Sequence, residues 1–198
     1  MVRIKKEVRE QFISQTRQAL LNAAAVEFAR QGYEQANINT ISTGAGFAKG
    51  TIYNYFPSKQ ALLLALIDDV AREHFETMRA AVLPVDEPAR RLERFFEAGF
   101  EYVSNHLPRA RTMLNTVYGS NQEHKEYCFQ AYQPMFRLVA EHILLPGMQQ
   151  GIFRQAEPTP TAVLLMTIYL GTASQVDEQG RSWLDANQVA QFALNGLQ

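Results

Sequence analysis

Side chains suited to binding anions and polar edges are concentrated in one short stretch, GFAKGTIYNYFPSK, at residues 46–59. Lysine can reach a phosphate group, and threonine, tyrosine and asparagine supply hydroxyl and amide groups for hydrogen bonds. Glycine leaves the backbone open to close approach. The stretch therefore predicts contacts with nucleic acid, and the candidate residues are Lys49, Gly50, Thr51, Tyr53, Asn54, Tyr55 and Lys59.

These candidates differ in the contact that each is suited to make. Asn54 is the best candidate for a base edge, while Tyr53 and Tyr55 can offer hydroxyls to phosphates. Lys59 begins the next predicted helix, so its charge and the amides of that helix would hold one phosphate. Phe56 is interpreted as a core residue between the first and fourth predicted helices.

Four helices are predicted to position this stretch. Gly32 follows the first apolar stripe as a stop signal, and Asn37 is a suitable N-cap for the second helix. Pro57 ends the third helix, because proline cannot continue a helix, and Ser58 is predicted to cap the fourth. Two short helices with a tight glycine turn form a helix-turn-helix arrangement. The predicted ranges are 13–30, 37–45, 48–54 and 59–83.

The arrangement resembles the DNA-binding domain of the TetR family of transcriptional regulators. In that family a glycine turn, a lysine-glycine pair, a Tyr-x-Tyr-Phe element and a Ser-Lys helix start recur in this order, as they do at residues 46–59. The resemblance covers about residues 16–67. It implies that the same positions contact DNA, that the rest of the chain holds an inducer cavity, and that the last two helices form a homodimer interface.

Three residues depart from the family pattern. Ser42 and Gly44 replace stronger helix formers in the second helix, and Ala48 stands where a Ser or Thr cap is common. These departures support an alternative function, in which the protein binds or sequesters a small molecule and its DNA-binding head is weakened.

Charge is distributed unevenly along the chain. The net charge of the 198 residues is −1, but residues 1–60 contain eight basic and four acidic side chains, an excess of four positive charges. The remainder therefore carries −5. The asymmetry indicates an anion-binding head on an acidic body, with a solvated basic surface as the alternative.

Composition argues against several other classes of protein. A single cysteine, Cys128, excludes an internal disulfide framework, and neither a membrane span nor a secretion signal is apparent, so we expect a cytoplasmic protein. The four histidines are scattered and accompany no catalytic motif, so we expect no enzyme, catalytic residue, cofactor or metal. His124 and Cys128 lie one helical turn apart and are interpreted as a surface pair rather than metal ligands.

The rest of the chain is predicted to be a second helical domain. The fold class is therefore all-α: an N-terminal three-helix helix-turn-helix domain, residues 1–58, joined through a long fourth helix to a ligand-binding and dimerisation domain, residues 59–198. The later helices are predicted at 86–107, 109–118, 122–131, 133–150, 161–176 and 186–197.

Methionine and aromatic residues are dense in the middle of this second domain. At helical spacing they are typical of an ordinary core, but methionine adapts to varied shapes and tyrosine brings a hydroxyl into an apolar wall. A pocket for a mostly apolar ligand is predicted, lined by Phe100, Met113, Tyr118, Tyr132, Phe136 and Tyr169.

The penultimate helix is apolar around much of its circumference, so it needs cover on two sides. Burial within one protomer is the alternative to a partner. The resemblance implies a homodimer of the last two helices, and the predicted interface is Val163, Thr167, Leu170, Gly171, Ser174, Val189 and Phe192. The chain is thus expected to be a repressor that a small ligand releases from a palindromic operator.

Overall fold

The computed structural model describes the backbone of residues 2–177 and 181–198 and the side chains of residues 7–177 and 181–198. These residues confirm the all-α class, and their only extended pairing is an isolated bridge between Val176 and Ser182. No helix within them is long and apolar enough to cross a membrane. The helices are α1 Val2–Gln35, α2 Ile38–Gly44, α3 Lys59–Val82, α4 Pro88–Asn105, α5 Leu107–Val117, α6 Gln122–Ala131, α7 Gln133–Val139, α8 Leu145–Gln149, α9 Pro158–Ala173 and α10 Ala186–Leu197.

Two short elements complete this set. A 3-10 turn, Thr51–Asn54, lies between α2 and α3, and a π-helical turn, Ala140–Leu144, makes α7 and α8 continuous. The 3-10 turn corrects the prediction of an α-helix over 48–54. Gly50 precedes it with φ 87°, a left-handed conformation that an α-helix does not contain. Lys49 and Gly50 therefore lie before the helical turn, not on it.

The predicted capping residues are confirmed. The Asn37 side chain accepts a hydrogen bond from the Asn39 amide at 2.8 Å, and Ser58 Oγ accepts one from the Ala61 amide at 3.0 Å. Gly32 interrupts α1 with φ 72°, and helical residues follow it as far as Gln35. Local signals thus set the start of α2 and α3.

The largest difference from the predicted helix boundaries is in α1, which was predicted from residue 13 but begins at Val2. Two other helix starts differ at prolines. The helix predicted from residue 161 begins instead at Pro158, and the one predicted from residue 109 begins at Leu107, directly before Pro108. Proline is tolerated in the first helical turn because its missing N–H would have no partner there. Each of these prolines lies inside the helix start.

Two hydrophobic clusters form the core. The head cluster joins α1, α2 and the 3-10 turn with the first half of α3, and Phe56 lies within it at 3% exposure, as predicted. It also includes Met113 from α5 and Cys128 from α6. The body cluster joins the second half of α3 to α4 and to α7 through α10. Because α3 contributes to both clusters, it connects the head to the body through continuous packing.

Candidate DNA-recognition surface and ligand cavity

Backbone and side-chain hydrogen bonds fix the turn that precedes the 3-10 helix. Ser42 Oγ donates to the Ala48 carbonyl at 2.7 Å, and the Phe47 amide donates to the Ser42 carbonyl at 3.0 Å. The Thr51 amide donates to the same Ala48 carbonyl at 3.1 Å. Gly46, with φ 83°, supplies the left-handed residue that this turn requires. We call residues 46–54 the recognition turn.

The recognition turn displays polar side chains to solvent. Lys49, Tyr53 and Asn54 are exposed, and Tyr53 keeps 54% of its accessible surface. Thr51 is half-buried. These four side chains form no hydrogen bond or ion pair with any of the described residues. They are available to a partner, which is the arrangement that phosphate and base contacts need.

Tyr55 and Lys59 are less available than the sequence suggests. Tyr55 is half-buried and packs against the head cluster. The Lys59 ammonium donates to the carbonyl oxygens of Glu34, at 2.9 Å, and Ala36, at 3.2 Å, and lies 4.9 Å from the ring centroid of Tyr33. Lys59 thus binds carbonyls at the end of α1, and a phosphate would have to compete with them.

The departures from the family pattern have structural explanations. Ser42 is fully buried and holds the recognition turn through its bond to Ala48. Gly44 is the last residue of α2, so the cost of glycine in a helix interior does not apply. Ala48 lies two residues before Gly50, which occupies the cap position of the 3-10 turn. Ser42 and Ala48 thus contribute hydrogen bonds to the recognition turn, and Gly44 lies where it does not interrupt α2.

The body contains a cavity of about 630 Å³ whose wall is mostly apolar. Four of the six predicted pocket residues lie in this wall: Met113, Tyr118, Tyr132 and Phe136. Helix α6 adds a side that the sequence reasoning missed, and Phe129 packs against Phe136 with ring centroids 5.0 Å apart. The remaining wall residues are Leu114, Val117, Gln122, Lys125, Glu126, Cys128, Gln130, Val163, Met166, Thr167 and Leu170.

Two predicted pocket residues lie outside the cavity, and three predicted interface residues line it. Phe100, at 6% exposure, and Tyr169, at 0%, belong to the body cluster and not to the cavity wall. One face of α9 lines the cavity, with the residues that were assigned to the dimer interface: Val163, Thr167 and Leu170.

The adjacent face of α9 and the outer face of α10 carry large exposed apolar side chains. Leu164 keeps 60% of its surface and Phe192 keeps 72%. Gly171 on α9 and Ser174, which follows its last residue, are half-buried, whereas Val189 is 7% exposed and packs in the body cluster of its own protomer. Leu164, absent from the predicted interface, is therefore a better candidate than Val189.

His124 and Cys128 are buried, which corrects their interpretation as a surface pair. His124 is 4% exposed and meets the Tyr33 ring edge-on, with centroids 4.7 Å apart. Burial raises the pKa of the Cys128 thiol to about 12, so it remains protonated. Within the described residues, no three His, Cys, Asp or Glu side chains form a cluster that could hold a metal ion.

A buried arginine joins the head to the body. Arg109 of α5 is 8% exposed, and its Nη1 donates to Asp69 Oδ2 and Glu73 Oε2 of α3, both at 2.9 Å. Its Nη2 donates to Asn22 Oδ1 of α1 at 2.7 Å, and Gln18 Nε2 of α1 donates to Asp69 Oδ2 at 3.0 Å. We call these five residues the polar junction.

Asp69 is held as a carboxylate in this junction. Burial by itself would raise the pKa of Asp69, but the hydrogen bonds from Gln18 and Arg109 and the charge of Arg109 outweigh it and lower that pKa. The sequence gives no signal for this cluster, because its members come from three helices that are distant along the chain.

Comparison with known proteins agrees with this geometry. Residues 20–66 match the model of the family described as bacterial regulatory proteins, tetR family. The transcriptional repressor KstR2 of Mycobacterium tuberculosis is 26% identical over 152 residues, which cover 72% of this chain and 71% of KstR2.

Solved structures share the fold over nearly the whole chain. The regulator FadR from Bacillus subtilis, solved in complex with stearoyl-CoA, matches with a TM-score of 0.80 and 20% identity, covering 91% of this chain and 99% of FadR. AibR, solved with isovaleryl coenzyme A and operator DNA, matches with a TM-score of 0.73 and 19% identity, covering 92% and 97%. These likenesses establish the architecture of head and body.

Proposed function

Because the chain belongs to the TetR family of bacterial regulatory proteins, we propose that it is a transcriptional repressor whose DNA grip is released by a small, mostly apolar ligand. The observation that carries the proposal is the recognition turn. Its exposed polar side chains have no hydrogen-bond partner among the described residues. They belong to a head that packs continuously against a body with an apolar cavity. The proposed DNA contacts are Lys49, Gly50, Thr51, Tyr53, Asn54, Tyr55 and Lys59.

The proposed ligand is an acyl-CoA ester. FadR and AibR, which share the fold, were solved with stearoyl-CoA and isovaleryl coenzyme A. An acyl chain suits the apolar wall that Met113, Phe129 and Phe136 contribute. The half-buried Lys125 on α6 can face the anionic part of such a ligand at the cavity rim.

The proposed working form is a cytoplasmic homodimer. Exposed apolar side chains on α9 and α10, above all Leu164 and Phe192, need cover that a second copy can supply. Two copies would present two recognition turns to a palindromic site. Replacement of Leu164 and Phe192 by Glu should convert the dimer to a monomer in analytical ultracentrifugation, and an unchanged mass would exclude this interface.

A DNA-binding assay tests the proposed function. Purified protein at low salt should bind the DNA upstream of its own gene more tightly than a scrambled duplex of equal length and composition. Equal affinity for both would contradict sequence-specific repression and would favour the alternative, a small-molecule binding protein. The lost affinity on adding salt reports how many phosphates are contacted.

Thermal unfolding with ligand tests the cavity. Acyl-CoA esters of increasing chain length should raise the melting temperature, since a ligand that binds only the native state stabilises it. Free coenzyme A is the control and should have little effect. A melting temperature that no acyl-CoA changes would remove acyl-CoA esters from the proposal.

A further inference from the structure

A buried histidine in the body is enclosed by three tyrosines. His74 of α3 is 2% exposed and stacks on Tyr102 of α4, with ring centroids 4.2 Å apart and an interplanar angle of 5°. Its Nδ1 lies 3.3 Å from the Tyr132 hydroxyl, and its Nε2 lies 3.0 Å from the Tyr169 hydroxyl. His74 therefore joins α3 to α4 by ring stacking, and to α9 and the residue before α7 by hydrogen bonds.

Hydrogen-bond directions assign the tautomer of His74. The Tyr169 hydroxyl donates to the Gly99 carbonyl at 3.1 Å, so it must accept the proton that His74 Nε2 carries. Nδ1 is then an acceptor, and the Tyr132 hydroxyl donates to it. Burial lowers the pKa of His74 to about 3, and the charge of His106 adds to this, so the ring stays neutral.

Tyr132 belongs to the cavity wall as well as to this chain of hydrogen bonds. A ligand in the cavity would therefore contact Tyr132, whose hydroxyl is hydrogen-bonded to His74 of α3. Tyr118 also lines the cavity, but it is 64% exposed, and none of the described residues bonds its hydroxyl. Of the two predicted wall tyrosines, only Tyr132 contacts α3 through its hydroxyl.

Helix α3 continues from this contact toward the DNA-binding head. It carries Asp69 and Glu73, which bind Arg109 in the polar junction, and it begins at Lys59, next to the recognition turn. A displacement of His74 thus acts on a helix that is anchored in the head cluster.

We propose that the Tyr132–His74 hydrogen bond transmits occupancy of the cavity to α3 and thereby to the recognition turn. This inference rests on the proposed function and names the residue pair that regulates it. Ligand that displaces the Tyr132 ring pulls on or breaks the bond to His74. This acts directly on α3, whose other polar contacts include those to the head, to Arg109 of α5, to Tyr127 of α6 and to Tyr169 of α9. Tyr132 is a positioning residue, since it acts on DNA only through His74.

The test compares Tyr132→Phe with Tyr118→Phe. Both substitutions keep an aromatic ring in the cavity wall and remove one hydroxyl. The affinity for labelled promoter DNA is measured with and without saturating stearoyl-CoA, and the affinity for stearoyl-CoA is measured separately. We expect Tyr132→Phe to bind stearoyl-CoA as wild type does. The factor by which stearoyl-CoA lowers DNA affinity should be about three- to tenfold smaller in this variant, the range that one hydrogen bond contributes. Tyr118→Phe should retain the full ligand effect.

A second variant separates coupling from folding. Tyr132→Phe leaves Nδ1 unpaired in the core, so its melting temperature is measured, and the double variant with His74→Leu removes the unpaired acceptor. The double variant should recover stability but not the ligand effect. An undiminished ligand effect in either variant would overturn the inference while leaving the proposed function intact. If wild type with stearoyl-CoA bound loses no DNA affinity, or if it binds no promoter DNA, both the proposed function and the inference fail.

Discussion

The recognition turn and the polar junction use similar side chains in opposite ways. In the turn, Lys49 and Asn54 are exposed, and no described residue binds their side chains. In the junction, Arg109 and Asn22 are bonded to each other, and Arg109 is also paired with two carboxylates. Unpaired exposed groups cost little and are free for a partner, whereas buried groups must be paired inside the protein. The turn is therefore the proposed DNA-binding surface, whereas the junction joins α1, α3 and α5.

Removal of the junction arginine should have the largest effect. We expect Arg109→Met to lower the free energy of unfolding by about 3–5 kcal/mol, because Asp69 and Glu73 lose their buried partner. The matched control is Arg111→Met, an exposed arginine on the same helix, which should change it by less than about 0.5 kcal/mol. Equal effects in denaturant unfolding would show that the junction does not hold the domains together.

Acid should destabilise the body through His74. Its folded pKa, about 3, lies below the ordinary value of 6.5, so the unfolded chain binds a proton that the folded chain does not. Its stabilising contribution is complete above pH 6.5, and it is lost by about 1.4 kcal/mol per pH unit as the pH falls from 6.5 toward 3. The free energy of unfolding measured between pH 7 and 5 should show this slope. His74→Leu should reduce the slope by the contribution of one proton, about 1.4 kcal/mol per pH unit. Identical slopes in the two proteins would contradict a neutral buried His74.

Within the recognition turn, Asn54→Ala should weaken promoter binding by about 1–3 kcal/mol, the range for a base contact, without changing stability. Asn115→Ala, at an exposed position on α5, is the control. The measurement is fluorescence anisotropy with promoter and scrambled duplexes. A loss that is equal on both duplexes would reassign Asn54 to phosphate.

A larger side chain in the cavity wall should weaken ligand binding without weakening DNA binding. Val163→Phe places a larger side chain on the α9 face that lines the cavity, and we expect at least a tenfold loss of acyl-CoA affinity at a cost in stability of about 1–3 kcal/mol. Val26→Phe makes the same change at an exposed site on α1 and should leave acyl-CoA affinity unchanged. Calorimetric titration of both variants measures the difference, and normal ligand binding by Val163→Phe would place the ligand elsewhere.

Replacement of Lys59 should have the smallest effect. It tests whether the Lys59 ammonium binds DNA phosphate or holds the end of α1. If it binds phosphate, Lys59→Ala weakens binding to every duplex and reduces the salt slope by about one. If its bonds to the Glu34 and Ala36 carbonyls persist on DNA, the salt slope stays unchanged and stability falls by about 1 kcal/mol. The two outcomes exclude each other as the main role of Lys59.

Local signals predicted the helix caps of the head, but not its 3-10 turn or the role of individual residues in the body. Asn37 and Ser58 cap their helices through neighbouring amides, so their roles follow from adjacent sequence. The left-handed Gly50 converts the expected α-helix to a 3-10 turn, which helix propensity alone does not indicate.

In the body, the use of each residue depends on packing between distant helices. Val163 and Leu164 are adjacent and apolar, yet one lines the cavity and the other is exposed. Tyr132 and Tyr169 were equally good pocket candidates, and only Tyr132 reaches the wall. Periodicity groups residues on one face of a helix but does not say which neighbour that face meets.

The central claim is that a ligand bound in the cavity weakens the binding of the recognition turn to DNA. The most direct measurement is the affinity of wild-type protein for labelled promoter DNA at one salt concentration, with and without saturating stearoyl-CoA. We expect at least a tenfold loss of DNA affinity with the ligand in wild type, and a smaller loss at the same ligand concentration in Val163→Phe, which binds acyl-CoA more weakly. Equal affinity of the wild type in both conditions, with stearoyl-CoA demonstrably bound, would contradict it.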